Sequence, residues 1–133
     1  MKAKKAAAKV LLIDDDADFV EMNRMVLEKN GFTVLAAYNA EEGVLKARRE
    51  KPDIIVLDVM MTTPTDGFHA TYELRKAYET CGIPILMVTS VNQTVTYKFA
   101  PDVTWLPVDC FLEKPVKPER LLEEIRRRIP NSL

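Results

Sequence analysis

Five short apolar runs constrain this chain more than any other feature: VLLI at 10–13, FTVLAA at 32–37, IIVL at 54–57, IPILMV at 83–88 and CFLE at 110–113. Each is too brief for a helix and suits a strand, the purest of them a strand buried on both faces. Longer stretches with helical spacing lie between them. Ala17 to Asn30 carries Phe19, Met22, Val26 and Leu27 on one face, with Asp16 or Asp18 near its start and Gly31 as terminator. Asn39 and Glu42 have the capping-box spacing for a helix that ends near Glu50, before Pro52. After the loop-like stretch Thr62 to Gly67, Asp66 can cap a helix running to about Thr80, ended by Cys81-Gly82. Pro118 suits the first turn of a helix that turns Leu121, Leu122, Ile125 and Ile129 inward. From Val91 to Pro107, two prolines and β-branched residues predict only a short or frayed helix. Strands alternating with up to five helices predict an α/β fold, a five-stranded parallel sheet with helices on both faces, because right-handed crossovers must cover it.

The 133 residues support one domain, expected over 9–129 between a basic tail at 1–8 and a short tail at 130–133. Nineteen basic against twenty acidic residues leave a net charge of -1, so no global field points to nucleic acid or an anionic membrane. Cys81 and Cys110 lack zinc-site spacing and are expected to be buried, reduced thiols. Nothing approaches the roughly twenty apolar residues needed to span a bilayer, and no signal-peptide pattern follows Met1 to Lys9, so a cytoplasmic protein is expected. Arg126, Arg127 and Arg128 are expected to form a solvated helix end that suits the helix dipole.

The residues that follow the runs carry the chemistry. Asp58 follows IIVL, Asp14, Asp15 and Asp16 follow VLLI, Thr89 and Ser90 follow IPILMV, and Lys114 follows CFLE. In a parallel sheet all of them emerge at the carboxyl edge, where open α/β sheets bind ligands. Two unit charges about 4 Å apart repel by roughly 4 kcal/mol at an effective dielectric near 20, so such a cluster calls for a cation. Lys114 supplies one charge, and an oxygen-only donor set without His or Cys favours a hard ion such as Mg²⁺ over zinc. A carboxylate beside such an ion, a hydroxyl and an ammonium make a phosphoryl acceptor of Asp58, and an ionised nucleophile needs no general base. The only histidine, His69, falls on the third predicted helix and is expected to be exposed.

Four motifs in order, LLIDDDAD, DIIVLDVMM, PILMVTS and FLEKP, carry a family resemblance. Over about residues 9–129 the chain resembles the receiver domain of two-component response regulators, of the single-domain chemotaxis type. The resemblance implies a flavodoxin-like, doubly wound sheet of strand order 2-1-3-4-5. It implies Asp58 as phosphoacceptor, Asp15 as direct metal ligand, Asp14 reaching the metal largely through water, and Met60 lending its backbone carbonyl. Thr89 becomes the hydroxyl that binds a phosphoryl oxygen, Lys114 its ion-pair partner, and Phe111 the aromatic switch, while the small Ser90 leaves room for the group. The implied cofactor is Mg²⁺, with Mn²⁺ as its substitute. The implied partners are a sensor histidine kinase or histidine phosphotransfer protein and an unnamed downstream protein, without direct nucleic-acid contact or membrane insertion. The implied activity is Mg²⁺-dependent self-phosphorylation and autodephosphorylation only, with output by protein contact because no output domain fits in 133 residues.

Three departures stand out. The family usually reads D-V-M-M-P-G-x-D-G after its acceptor, whereas DVMMTTPTDG displaces the proline to Pro64 and adds a residue. The stretch between Thr89 and Phe111 is longer than usual. Met60 and Val91 stand where fast-cycling relatives often carry polar groups that place a hydrolytic water, so slow decay of the phosphorylated form is expected. The alternative is a pseudo-receiver, a phosphorylation-independent interaction module, although acceptor, acidic pair and lysine are all present. An aspartate-nucleophile phosphatase would need a second Asp at position 60, and a dinucleotide site would need G-x-G-x-x-G.

Overall fold

Alternation along the strands sorts the apolar side chains into two layers, one on each side of a sheet. The computed structural model describes residues 8–58, 66–90, 110–114 and 116–129, apart from the side chains of 66–69, 89, 90, 110, 111 and 114. The elements are β1 (Lys9–Ile13), α1 (Ala17–Lys29), β2 (Thr33–Ala37), α2 (Ala40–Glu50), β3 (Ile54–Asp58), α3 (Asp66–Lys76), β4 (Ile85–Ser90), β5 (Cys110–Lys114) and α4 (Pro118–Arg128). The sheet is wholly parallel, in the order β2-β1-β3-β4-β5. Val10, Leu12, Ile54, Val56, Leu86 and Val88 pack with Phe19, Val20 and Leu27 of α1 and Leu121, Leu122 and Ile125 of α4. Leu11, Ile13, Ile55, Leu57, Ile85 and Met87 pack with Ala47 of α2 and Ala70 and Leu74 of α3. The period of two in the strands thus dictates the doubly wound α/β architecture that the alternation predicts.

Caps set the helix boundaries. Asp16 accepts from the Asp18 and Phe19 N–H groups at the start of α1, and Gly31 follows its end at φ 94°, where a side chain is disfavoured. At α2, Asn39 accepts from the Glu42 N–H, while the Glu42 carboxylate accepts from the Tyr38 N–H, one residue earlier than the standard box. That Tyr38 bond, with help from Lys46, holds the Glu42 carboxyl below the ordinary glutamate range against the effect of burial. Lys46 also donates to the Ala36 carbonyl at the end of β2, an edge strand that this ammonium helps to blunt.

Several expectations are corrected. Met22 is 47% exposed, and Asn23 is buried in its place on the inner stripe, its amide donating to the Phe19 carbonyl one turn back. A polar residue enters the core because the helix itself satisfies its N–H. The third helix begins at Asp66, inside the expected loop, and stops at Lys76 rather than near Thr80. Beyond Lys76, the Thr80 hydroxyl donates to the Leu74 carbonyl and Arg75 donates to the Cys81 and Ile83 carbonyls, so these carbonyls are satisfied by side chains. β4 starts at Ile85 rather than Ile83, since Pro84 has no N–H and joins β3 only by accepting from Ile55. Cys81 is an exposed free thiol, placed on the surface by the turns after α3. Arg126 and Arg128 are part-buried, bonded to Asn30 and Glu124, so the last turn of α4 is tethered. The remainder of the 62–67 loop, at 62–65, and the expected helix within 91–107 lie outside the described residues.

Candidate functional site

Register brings the acidic residues together. Ile13 pairs with Leu57, so the next residues along, Asp14 and Asp58, stand beside each other at the carboxyl ends of β1 and β3. Asp58 pairs in turn with Val88, Thr89 with Glu113 and Ser90 with Lys114. The backbone positions of Asp14, Asp15, Asp58, Thr89 and Lys114 therefore share one rim. The chain reaches it because each apolar run stops where its strand leaves the core.

One carboxylate oxygen from each of Asp14, Asp15 and Asp58 lies within 4.8 Å of the other two. Asp14 and Asp58 are buried, and Asp15 faces solvent. The Asp14 N–H donates to the Ala37 carbonyl at 3.0 Å, extending the β1–β2 ladder past the strand end. Its Oδ1 accepts from the Asp16 N–H at 2.9 Å, which fixes the carboxylate while Asp16 caps α1. Like charges at this spacing repel by about 3 kcal/mol per pair at an effective dielectric near 20, so the arrangement attracts a cation. The three donors are all carboxylate oxygens, a hard set that fits Mg²⁺ or Mn²⁺ and not a thiolate- or imidazole-seeking metal.

A family model for the response regulator receiver domain matches residues 10–126. The chain belongs to that family. Protein PilH of Pseudomonas aeruginosa is 37% identical over 121 residues, which cover 89% of this chain and 94% of that protein. The alkaline phosphatase synthesis transcriptional regulatory protein PhoP of Bacillus subtilis is 32% identical over 93% of this chain but only 49% of its own length. The receiver thus spans about half of the transcriptional regulators that it matches. The crystal structure of the chemotaxis response regulator CheY4 of Vibrio cholerae is similar with a TM-score of 0.78 at 30% identity, covering 92% of this chain and 98% of that one.

Receiver domains are phosphoaccepting signalling domains rather than enzymes in the usual sense, and they generally bind Mg²⁺ in an acidic pocket. That role fits this rim, and the reading as a phosphorylation-independent module is not favoured. Response regulators of the family act with histidine kinases and downstream targets. No helix among the described residues is long and apolar enough to cross a membrane. Met60, and the side chains of His69, Thr89, Phe111 and Lys114, lie outside the described residues. One contributor escapes a reading of the sequence: the Asp16 N–H that holds Asp14 has no sequence signal beyond the acidic run.

Proposed function

We propose that Asp58 of this receiver accepts a phosphoryl group from a phosphohistidine of a sensor kinase or phosphotransfer protein. A carboxylate oxygen of Asp58 attacks phosphorus, the P–N bond to the donor imidazole breaks, and the imidazole leaves with a proton from solvent. Asp14, Asp15 and Asp58, with the Met60 carbonyl, would hold Mg²⁺. When bound, the ion neutralises charge on the transferring oxygens. Thr89 binds one phosphoryl oxygen through its hydroxyl, Lys114 pairs with another, and Ser90 leaves the space that the group fills. Movement of Thr89 lets Phe111 turn inward, which shifts a pre-existing equilibrium and changes which protein the domain binds. The setting is the cytoplasm, over a folded unit of 9–129, without direct nucleic-acid contact.

The convergence of Asp14, Asp15 and Asp58 within 4.8 Å carries this reading. Incubation with a small phosphodonor, with and without Mg²⁺, tests it. Native chain should incorporate phosphate only with the ion, and Asp58→Asn should lose incorporation by about a thousandfold or more, the scale of removing a nucleophile. Incorporation indifferent to both changes would defeat the reading. Met60 and Val91 present apolar groups that cannot orient a hydrolytic water, so release of the bound phosphate should take minutes or longer. Loss within seconds would count against that part.

A further inference from the structure

Helix α2 crosses β1 with a glycine at the point of contact. Glycine weakens a helix interior, so its presence within Ala40–Glu50 asks for a packing reason. The reason is Ile13. A Cβ on Gly43 would stand 2.5 Å from Ile13 Cδ1, 2.8 Å from Cγ1 and 2.9 Å from Cγ2, all closer than real Cβ contacts. Ile13 is fully buried, and turning it does not remove the overlap. Two of its three staggered χ1 positions face the helix, and its two branches always fill at least one of them.

Either α2 or the tip of β1 would therefore have to move. The first turn of α2 is tied down by the Asn39 and Glu42 caps and by Lys46 on the Ala36 carbonyl. The tip of β1 continues directly into Asp14 and Asp15, which share one cluster with Asp58. We infer that Gly43 is a positioning residue: by letting α2 lie directly on Ile13 it sets the height of the β1 tip, the spacing of Asp14 and Asp15 from Asp58, and so the affinity for a divalent ion. This inference rests on the metal-site reading above.

Mn²⁺ binding, followed by the electron paramagnetic resonance signal of the free ion, tests it alongside urea unfolding. Gly43→Ala should weaken Mn²⁺ binding by about tenfold, the lower end of what disturbing the support of metal ligands does. I13A/G43A removes Cγ1, Cγ2 and Cδ1, all three atoms in overlap, so it should recover most of the affinity while lowering the urea midpoint through the cavity it leaves. Ala47→Gly, one turn further along the same buried face, should lower the urea midpoint and leave Mn²⁺ affinity alone. If Gly43→Ala is too unstable to titrate, the double variant decides: native-like affinity supports the inference and a tenfold loss overturns it. A native chain that binds Mn²⁺, with Gly43→Ala binding it equally well, overturns this inference alone. A native chain that binds no Mn²⁺ overturns the metal-site reading with it.

Discussion

Two charge clusters in this receiver are built in opposite ways. On α4, one buried carboxylate gathers three guanidinium groups: Glu124 is met by Arg128 at 2.7 Å, by Arg120 at 3.1 Å and by Arg127 at 3.5 Å. At the sheet rim, three carboxylates gather within 4.8 Å of one another. The first is made of long side chains spaced along one helix and the second of short carboxylates at strand ends, and only the first answers an anion with an excess of cations from its own helix. The lesson is that the grouping of carboxylates, not the density of charge, separates the two. A cluster that answers its charge within one helix stabilises the fold, while one that brings three carboxylates within reach of a single ion has the composition of a ligand site.

That contrast predicts opposite responses to losing a charge. The largest expected effect is at Glu124: replacing it with alanine leaves three arginines facing one another and should cost about 2 kcal/mol, discounted because two of them are more than half exposed. Urea unfolding at neutral pH measures it, and an unchanged midpoint would remove the α4 cluster from any account of stability. The pH dependence is smaller and sharper. Burial pushes the Glu124 carboxyl up, yet the bond from Arg128, the charges of Arg127 and Arg128 and the bond from Arg120 outweigh it and leave the pKa lowered. A carboxyl lowered on folding adds stability above its unfolded value, about 4.3 for glutamate, and that stability is lost as pH falls through the folded value. Native chain should therefore exceed Glu124→Gln by about 1 kcal/mol at pH 7, and the two should converge on acidification below about pH 4. A gap that stays constant down to pH 3 would assign the difference to shape rather than charge.

Much of this was legible in the residues because strand chemistry is local. Unbroken apolar runs, stopping at Asp14 and Asp58, carry both the layering and the shared rim, and the strand order needed only the family resemblance. Legibility failed where a side chain substitutes for backbone or apolar groups. Asn23 occupies the core position that helical spacing assigns to Met22, because its amide is satisfied by the Phe19 carbonyl. Arg75 and Thr80 end α3 early by binding carbonyls several residues away, which periodicity does not encode. Arg126 reaches Asn30 across 96 residues of sequence, so one member of a run that reads as a solvated end ties α4 to the end of α1, while Arg127 is exposed as expected. The closeness of Gly43 to Ile13 belongs to the same class, since it depends on how two elements cross rather than on either alone.

The smallest effect bears most directly on the comparison. Asp15 is the exposed member of the acidic rim, so replacing it with asparagine relieves repulsion without opening a cavity. In chelator, where no divalent ion is present, Asp15→Asn should be more stable than the native chain by about 0.5 kcal/mol, a figure kept small by solvent screening. Adding Mg²⁺ should reverse the order, because an ion that binds only the folded native chain stabilises it by about 1.4 kcal/mol at ten times its dissociation constant. Glu124→Gln should show no such crossing, since its arginine partners take no part in holding the ion. Thermal or urea midpoints of the three chains, with and without Mg²⁺, therefore separate the clusters. A variant at Asp15 that is destabilised in chelator would mean that the rim is balanced from within, as the α4 cluster is, and the distinction drawn between them would fail.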